Sequence, residues 1–188
     1  MWTSVYGGVL MKHILIVDDN KTNLVLAKQE LSKEYQVTPV LSGMQALQFL
    51  EKMHTDLILL DINMPEMDGK ETMRRIRENE EWAKIPIIFL TADSSPETEA
   101  KCLSDGADDF IAKPFVPQVM KSRISCILEL NELRNDLETR LEEKTKEVEL
   151  VTLNAIMAIA KTIEAKDRYT SGHSERVAKC SVAIAKRL

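Results

Sequence analysis

Leu57-Ile58-Leu59-Leu60-Asp61 is a run of four aliphatic residues closed by a carboxylate, and an apolar run closed by a polar group returns three more times. His13-Ile14-Leu15-Ile16-Val17 runs into Asp18-Asp19, Ile87-Ile88-Phe89-Leu90 into Thr91, and Phe110-Ile111-Ala112 into Lys113. Short apolar runs alternating with amphipathic stretches read as buried parallel strands joined by crossover helices. In an open α/β sheet the chemistry collects at the carboxyl ends of the strands. Four strands of such a sheet bring two acids, a third acid, a hydroxyl and an ammonium to one edge.

The chemistry follows from the groups. Three clustered carboxylates repel one another, so their charged forms need a nearby cation. Oxygen ligands with room for water suit Mg²⁺, and no histidine or cysteine stands at the edge to favour zinc. A carboxylate beside Mg²⁺, a lysine and a hydroxyl is placed to attack a phosphoryl group, with Asp61 becoming the acyl phosphate. Taken singly, each of these residues reads equally well as a helix cap or a surface charge. Their joint order is what points to a site.

In that order the chain resembles the response-regulator receiver domain over about residues 12–120. The carriers are Asp18-Asp19, Asp61, Thr91 and Lys113-Pro114, together with Asp61-Ile62-Asn63-Met64-Pro65-Glu66-Met67-Asp68-Gly69. The resemblance implies a flavodoxin-like α/β fold, a five-stranded parallel sheet doubly wound with five helices. It implies that Asp19 and Asp18, Asp61 and the backbone carbonyl of Asn63 hold Mg²⁺, and that Asp61 is phosphorylated by a histidine kinase or phosphotransfer protein. Lys113 is then expected to pair with the phosphoryl group and Thr91 to donate its hydroxyl to it. Ala92 is the small neighbour of that threonine. Phe110 is the aromatic expected to turn inward when Thr91 moves, and the Lys113-Pro114 bond is expected to be cis.

Local signals place the elements. Strands are expected at about 12–17, 36–40, 57–60, 86–90 and 108–112. Asn20 caps a helix running to about Lys33, and Ser42 opens one ending near His54. A third begins near Gly69, a fourth follows Ser94-Ser95-Pro96, and Pro117 sits in the first turn of a fifth. His13 and His54 read as packing or surface residues. Residues 1–11 read as an extension ahead of the domain, without the layout of a secretory signal.

With 188 residues, 44% hydrophobic content and a net charge of -5, the chain can build a core and carries no basic excess for binding nucleic acid. Cys102, Cys126 and Cys180 are widely spaced and read as reduced thiols of a cytoplasmic protein. No apolar run approaches membrane-spanning length.

Glycine and proline vanish from Val119 until Gly172, which allows one long helix. Ile127, Leu130, Leu137, Leu141, Val148, Val151, Ala155 and Ala158 fall on a and d positions of a heptad, interrupted at Arg134 and Lys144. A 3.5-residue spacing favours supercoiling with a second helix, so residues 120–160 are expected to form a parallel homodimer. The rival is an amphipathic helix lying on its own domain.

A second resemblance covers Glu164-Ala165-Lys166-Asp167-Arg168-Tyr169-Thr170-Ser171-Gly172-His173-Ser174-Glu175-Arg176-Val177, which is similar to the opening of an HD-GYP domain. That family consists of metal-dependent phosphodiesterases of cyclic di-GMP. By this resemblance His173 is the first metal ligand of an incomplete site, since the family's later motifs are not among the 188 residues. The expected layout is an extension at 1–11, a receiver at 12–120, a signalling helix at 121–160 and the start of an output domain at 161–188. The chain itself is expected not to hydrolyse a cyclic dinucleotide, because one histidine cannot build a two-metal site. An autonomous phosphodiesterase, an unphosphorylated dimer scaffold and, more weakly, a DNA-binding regulator are the alternatives.

Overall fold

The apolar runs become strands that must be covered from both sides of the sheet, because both of their faces are aliphatic. In the computed structural model, which describes residues 5–6, 9–93, 95–166 and 173–185, they form one parallel sheet. After a short antiparallel pair, β1 (Val5–Tyr6) and β2 (Val9–Leu10), the chain continues as β3 (His13–Val17), α1 (Lys21–Leu31), β4 (Gln36–Val40), α2 (Gly43–Leu50), β5 (Leu57–Asp61), α3 (Gly69–Glu78), β6 (Ile87–Thr91), α4 (Pro96–Ser104), β7 (Asp109–Ala112), α5 (Pro117–Lys166) and α6 (His173–Ala185). The five-stranded sheet has the order β4-β3-β5-β6-β7, so the winding direction reverses between β3 and β5. Their carboxyl ends frame the crevice where such sheets bind ligands.

Side chains alternate across this sheet. Ile14, Ile16, Leu57, Leu59, Ile88 and Leu90 pack on one side against Leu24, Ala27 and Leu31 of α1 and Met120, Ile124 and Leu128 of α5. Leu15, Val17, Ile58, Leu60, Ile87 and Phe89 pack on the other against Ala46, Met73, Ile76 and Cys102 of α2, α3 and α4. Most of these are fully buried, each contributing about 1.5–3 kcal/mol of transfer free energy. That two-sided burial fixes the strand ends, and with them the groups that follow.

The caps fall where the sequence put them. Asn20 Oδ1 accepts from the Thr22 amide at 2.9 Å, Ser42 Oγ from Gln45 at 3.3 Å and Ser95 Oγ from Thr98 at 3.3 Å. Boundaries moved where a tertiary contact intervened. The second helix stops at Leu50, not near His54, because the chain turns down to meet β3. There the His54 carbonyl accepts from His13 Nδ1 at 2.8 Å, and Asp56 accepts from the His13 amide at 2.7 Å. The first helix closes at Leu31, two residues early, and β6 and β7 each begin one residue later than expected. The Lys113-Pro114 bond is cis.

By compactness the chain divides into two units, Met1–Leu133 and Arg134–Leu188. Helix α5 is continuous through Glu129 as a 50-residue element. Among the described residues no helix is long and apolar enough to cross a membrane.

Candidate functional site

The strand ends deliver their groups to one place. Asp18 follows β3, Asp61 ends β5, Thr91 ends β6 and Lys113 follows β7. Carboxylate oxygens of Asp18, Asp19 and Asp61 lie within 4.8 Å of one another, with Asp18 and Asp61 buried and Asp19 exposed. Lys113 Nζ lies 2.6 Å from Asp18 Oδ2 and 2.7 Å from Asp61 Oδ2, so a single ammonium bridges two buried acids. One ammonium against three carboxylates leaves the cluster with an excess of negative charge. A set of hard oxygens so arranged fits a small divalent cation, while the thiol and imidazole ligands that favour zinc are not in the cluster.

Asp18 is held tightly. Its Oδ1 accepts from the Asn20 amide at 2.8 Å, and the Asn23 side-chain amide reaches both carboxylate oxygens at 3.0 and 3.1 Å. Asp61 is held less: Oδ1 accepts from the Asn63 amide at 3.4 Å, a long and weak contact. Burial pushes the Asp61 carboxyl above the usual aspartate range, and the hydrogen bond and charge of Lys113 work against that shift.

The loop after Asp61 is folded onto itself. Met64 and Met67 are buried, the Gly69 amide donates to the Ile62 carbonyl at 2.9 Å, and Glu66 takes a left-handed φ of 65°. Asp68 caps α3 through the Glu71 amide at 2.8 Å.

Thr91 is buried beside this cluster, but its hydroxyl is engaged elsewhere. It donates to the Asp93 carbonyl at 3.0 Å and accepts from the Asp93 amide at 3.1 Å. Ala92, next to it, is exposed. Phe110 is already packed inward, 8% exposed, among Phe89, Ile87 and Cys102, so an outward starting position for this ring is not what the structure holds. The Arg123 guanidinium lies over its face at 5.0 Å from the centroid and pairs with Asp109 at 2.6 Å. His173 opens α6, and its side chain lies outside the described residues, as do residues 167–172 of the motif around it.

Sequence reasoning grouped Asp18, Asp19, Asp61, Thr91 and Lys113: the three aspartates and Lys113 meet in one cluster, and Thr91 ends the neighbouring strand β6 with its hydroxyl turned to Asp93. It missed Asn23, which fixes Asp18 from the first turn of α1, and Asp93, which holds Thr91. It also missed Arg123, whose contact with Phe110 crosses from α5 to β7. An amide five residues after Asp18 was a visible signal for the first; nothing local announced the others.

The chain is similar to known proteins. The family model of the response regulator receiver domain matches residues 14–125. A "Probable cyclic di-GMP phosphodiesterase" of Vibrio cholerae is 36% identical over 184 residues, which is 93% of this chain and 41% of that protein. The "Cyclic di-GMP phosphodiesterase response regulator RpfG" of Xanthomonas campestris is 32% identical over 186 residues, or 94% of this chain and 49% of that protein. The chain thus spans half or less of the length of these curated relatives. Among solved structures, the signal receiver domain of a histidine kinase from Syntrophus aciditrophicus is 38% identical with a TM-score of 0.58, covering 63% of this chain and 90% of its own. The Vibrio cholerae chemotaxis protein CheY4 is 30% identical with a TM-score of 0.58, covering 61% and 97%. An acidic pocket at the switch point, a lysine across it and a match over most of the folded sheet lead to one conclusion: the chain belongs to the response regulator receiver domain family.

Proposed function

We propose that Asp61 accepts a phosphoryl group from a histidine kinase or phosphotransfer protein, and that this chain is the receiving and relaying part of a response regulator. The observation that carries the proposal is the Asp18–Lys113–Asp61 bridge at 2.6 and 2.7 Å beside an exposed Asp19. Asp18, Asp19, Asp61 and the Asn63 carbonyl would hold Mg²⁺, which supplies charge neutralisation for phosphoryl oxygens when bound.

The protein's own groups do the rest. An Asp61 carboxylate oxygen forms the new O–P bond as the donor's P–N bond breaks, and the bond pair leaves with the donor imidazole. Lys113, already at hydrogen-bond distance from Asp61, stays as the counter-ion of the transferred group. Thr91 leaves Asp93 and donates to a phosphoryl oxygen. Phosphorylation adds about one to two negative charges at the strand edge, and the face of α4, β7 and α5 responds.

Beyond the receiver, residues 120–160 would pair with a second copy in parallel. Residues from 161 on would open an HD-GYP output domain with His173 as a metal ligand, a reading in keeping with the longer relatives' being named cyclic di-GMP phosphodiesterases. We read this chain as a regulator of cyclic di-GMP hydrolysis that does not itself catalyse it.

Intact mass after incubation with acetyl phosphate and Mg²⁺ tests the core of this. A single phosphoryl adduct, absent in Asp61→Asn and absent without Mg²⁺, is expected. No adduct from acetyl phosphate or from a cognate kinase, on folded protein that binds Mg²⁺, leaves the dimer-scaffold reading instead.

A further inference from the structure

Residues 134–158 carry a regular seam with two charges in it. Leu137, Leu141, Val148, Val151, Ala155 and Ala158 keep the a and d positions, and the first four are 57–69% exposed. The seam runs about 36 Å, some three and a half heptads, long enough to mark a coiled coil. A helix lying on a globular surface follows a 3.6-residue period and drifts about 20° per heptad from this one. A partner that keeps the seven-residue spacing throughout is another helix of the same spacing, and a second copy provides it.

Arg134 occupies an a position and Lys144 a d position of this seam. In a parallel, in-register pair each faces its own counterpart, setting like charges opposite each other. Lys144 Nζ is held 2.5 Å from Glu147 on its own helix, so its stem crosses the seam while its charge is drawn to the flank. That softens the repulsion at this layer but leaves the layer without an apolar knob. Arg134 likewise keeps an interaction of its own. Across the seam the charged g positions add no opposite charge: Arg140 and Glu147 would face Thr145 and Thr152 of a parallel copy.

We infer that residues 134–158 pair in register with the same residues of a second copy, and that Arg134 and Lys144 are a built-in brake keeping this pairing weak. The inference rests on the parallel dimer proposed above and supplies its regulation. A seam of apolar residues alone would pair permanently; one with two charged layers pairs only when something else favours association.

Sedimentation equilibrium on the full chain at several salt concentrations tests it, with Arg134→Leu/Lys144→Leu and Val148→Lys for comparison and circular dichroism to confirm that each stays helical. Wild type is expected to be a weak dimer that tightens severalfold from low to high salt, because screening relieves the like-charge layers. The double leucine variant should dimerise roughly 100-fold more tightly, with the salt dependence lost. Val148→Lys should be monomeric.

Weakening of the wild-type dimer by salt would overturn the in-register arrangement; an antiparallel pair, which brings Arg140 towards Glu147 across the interface, behaves that way. A double variant no tighter than wild type would overturn the brake, and monomers throughout would overturn the pairing. Phosphoryl uptake by Asp61, measured on the same samples, reports on the receiver independently of all three results.

Discussion

Replacing Gly69 by alanine should damage the fold and the phosphoryl site together. Gly69 opens α3 just past the loop that leaves Asp61, and a Cβ there would lie 2.3 Å from the Asp61 carbonyl oxygen, 2.9 Å from Ile62 Cα and 3.0 Å from the Asp61 carbonyl carbon. All three are backbone atoms, so no rotamer change can make room. Reaching an ordinary contact of 3.4 Å requires about 1.1 Å of movement in the strand end that carries the acceptor. Overpacking of this kind costs about 1–3 kcal/mol, here at the upper end, and helix propensity returns up to about 1 kcal/mol. A net loss of about 2 kcal/mol should lower Tm by roughly 5–10 °C. A misplacement of about 1 Å at a reacting group can cost on the order of 100-fold, so uptake from acetyl phosphate should slow by roughly 10- to 100-fold even well below Tm. Calorimetry and time-resolved intact mass read the two effects. Lys70→Ala serves as the control, since it removes only the Lys70–Asp105 pair at the surface. A Gly69→Ala protein with unchanged Tm and unchanged uptake would refute the close approach and the argument built on it.

Three further outcomes follow from the same geometry. Because burial holds the folded Asp61 carboxyl above its unfolded value, its ionised form opposes folding: the penalty is full above the folded pKa and vanishes below the unfolded one. Asp61→Asn should therefore raise Tm at neutral pH in EDTA, and the advantage should shrink as pH falls through that window; a gap that widens on acidification contradicts the sign. Lys113→Met leaves two buried carboxylates without their shared cation and should cost about 2–4 kcal/mol in EDTA, with part of the loss recovered in millimolar Mg²⁺; equal losses with and without Mg²⁺ would mean that the cluster binds no cation. Thr55 Oγ1 is buried without a hydrogen-bond partner among the described residues, so Thr55→Val should raise stability by about 1 kcal/mol in urea titration, and a loss would point to a bridging water.

The positions of Asp61, Asp18, Thr91 and Lys113 were legible because each depends on one local fact, the end of an apolar run. Once Ile14 to Val17 and Leu57 to Leu60 are buried on both faces, the next residues have only the sheet edge to occupy. The end of α2 was not legible, because the His13 contacts that turn residues 51–56 downward join segments some forty residues apart. The same holds for Arg123 on Phe110, where the helix bringing the guanidinium is placed by Met120 and Ile124 in the core. Residues 1–11 read as an extension ahead of the domain, yet Val5–Tyr6 and Val9–Leu10 within it pair as a short antiparallel ladder.

Thr91 shows why such a site can act as a reversible switch. Its hydroxyl makes two neutral hydrogen bonds with the Asp93 backbone, each worth about 1 kcal/mol net. Under the proposed role it gives these up for a bond to a charged phosphoryl oxygen, worth about 1.5–3 kcal/mol. The two sides differ by no more than a kilocalorie or so, about a fivefold change in population. Had Thr91 been unengaged in the resting state, the phosphorylated form would win outright and the resting conformation would hold no competing well. Had it been tied by a charged partner, phosphorylation could not have moved it. The Asp93 backbone lies between these limits, so under the proposed role the turn at 91–93, and not the acidic cluster alone, would set how fully phosphorylation is read out.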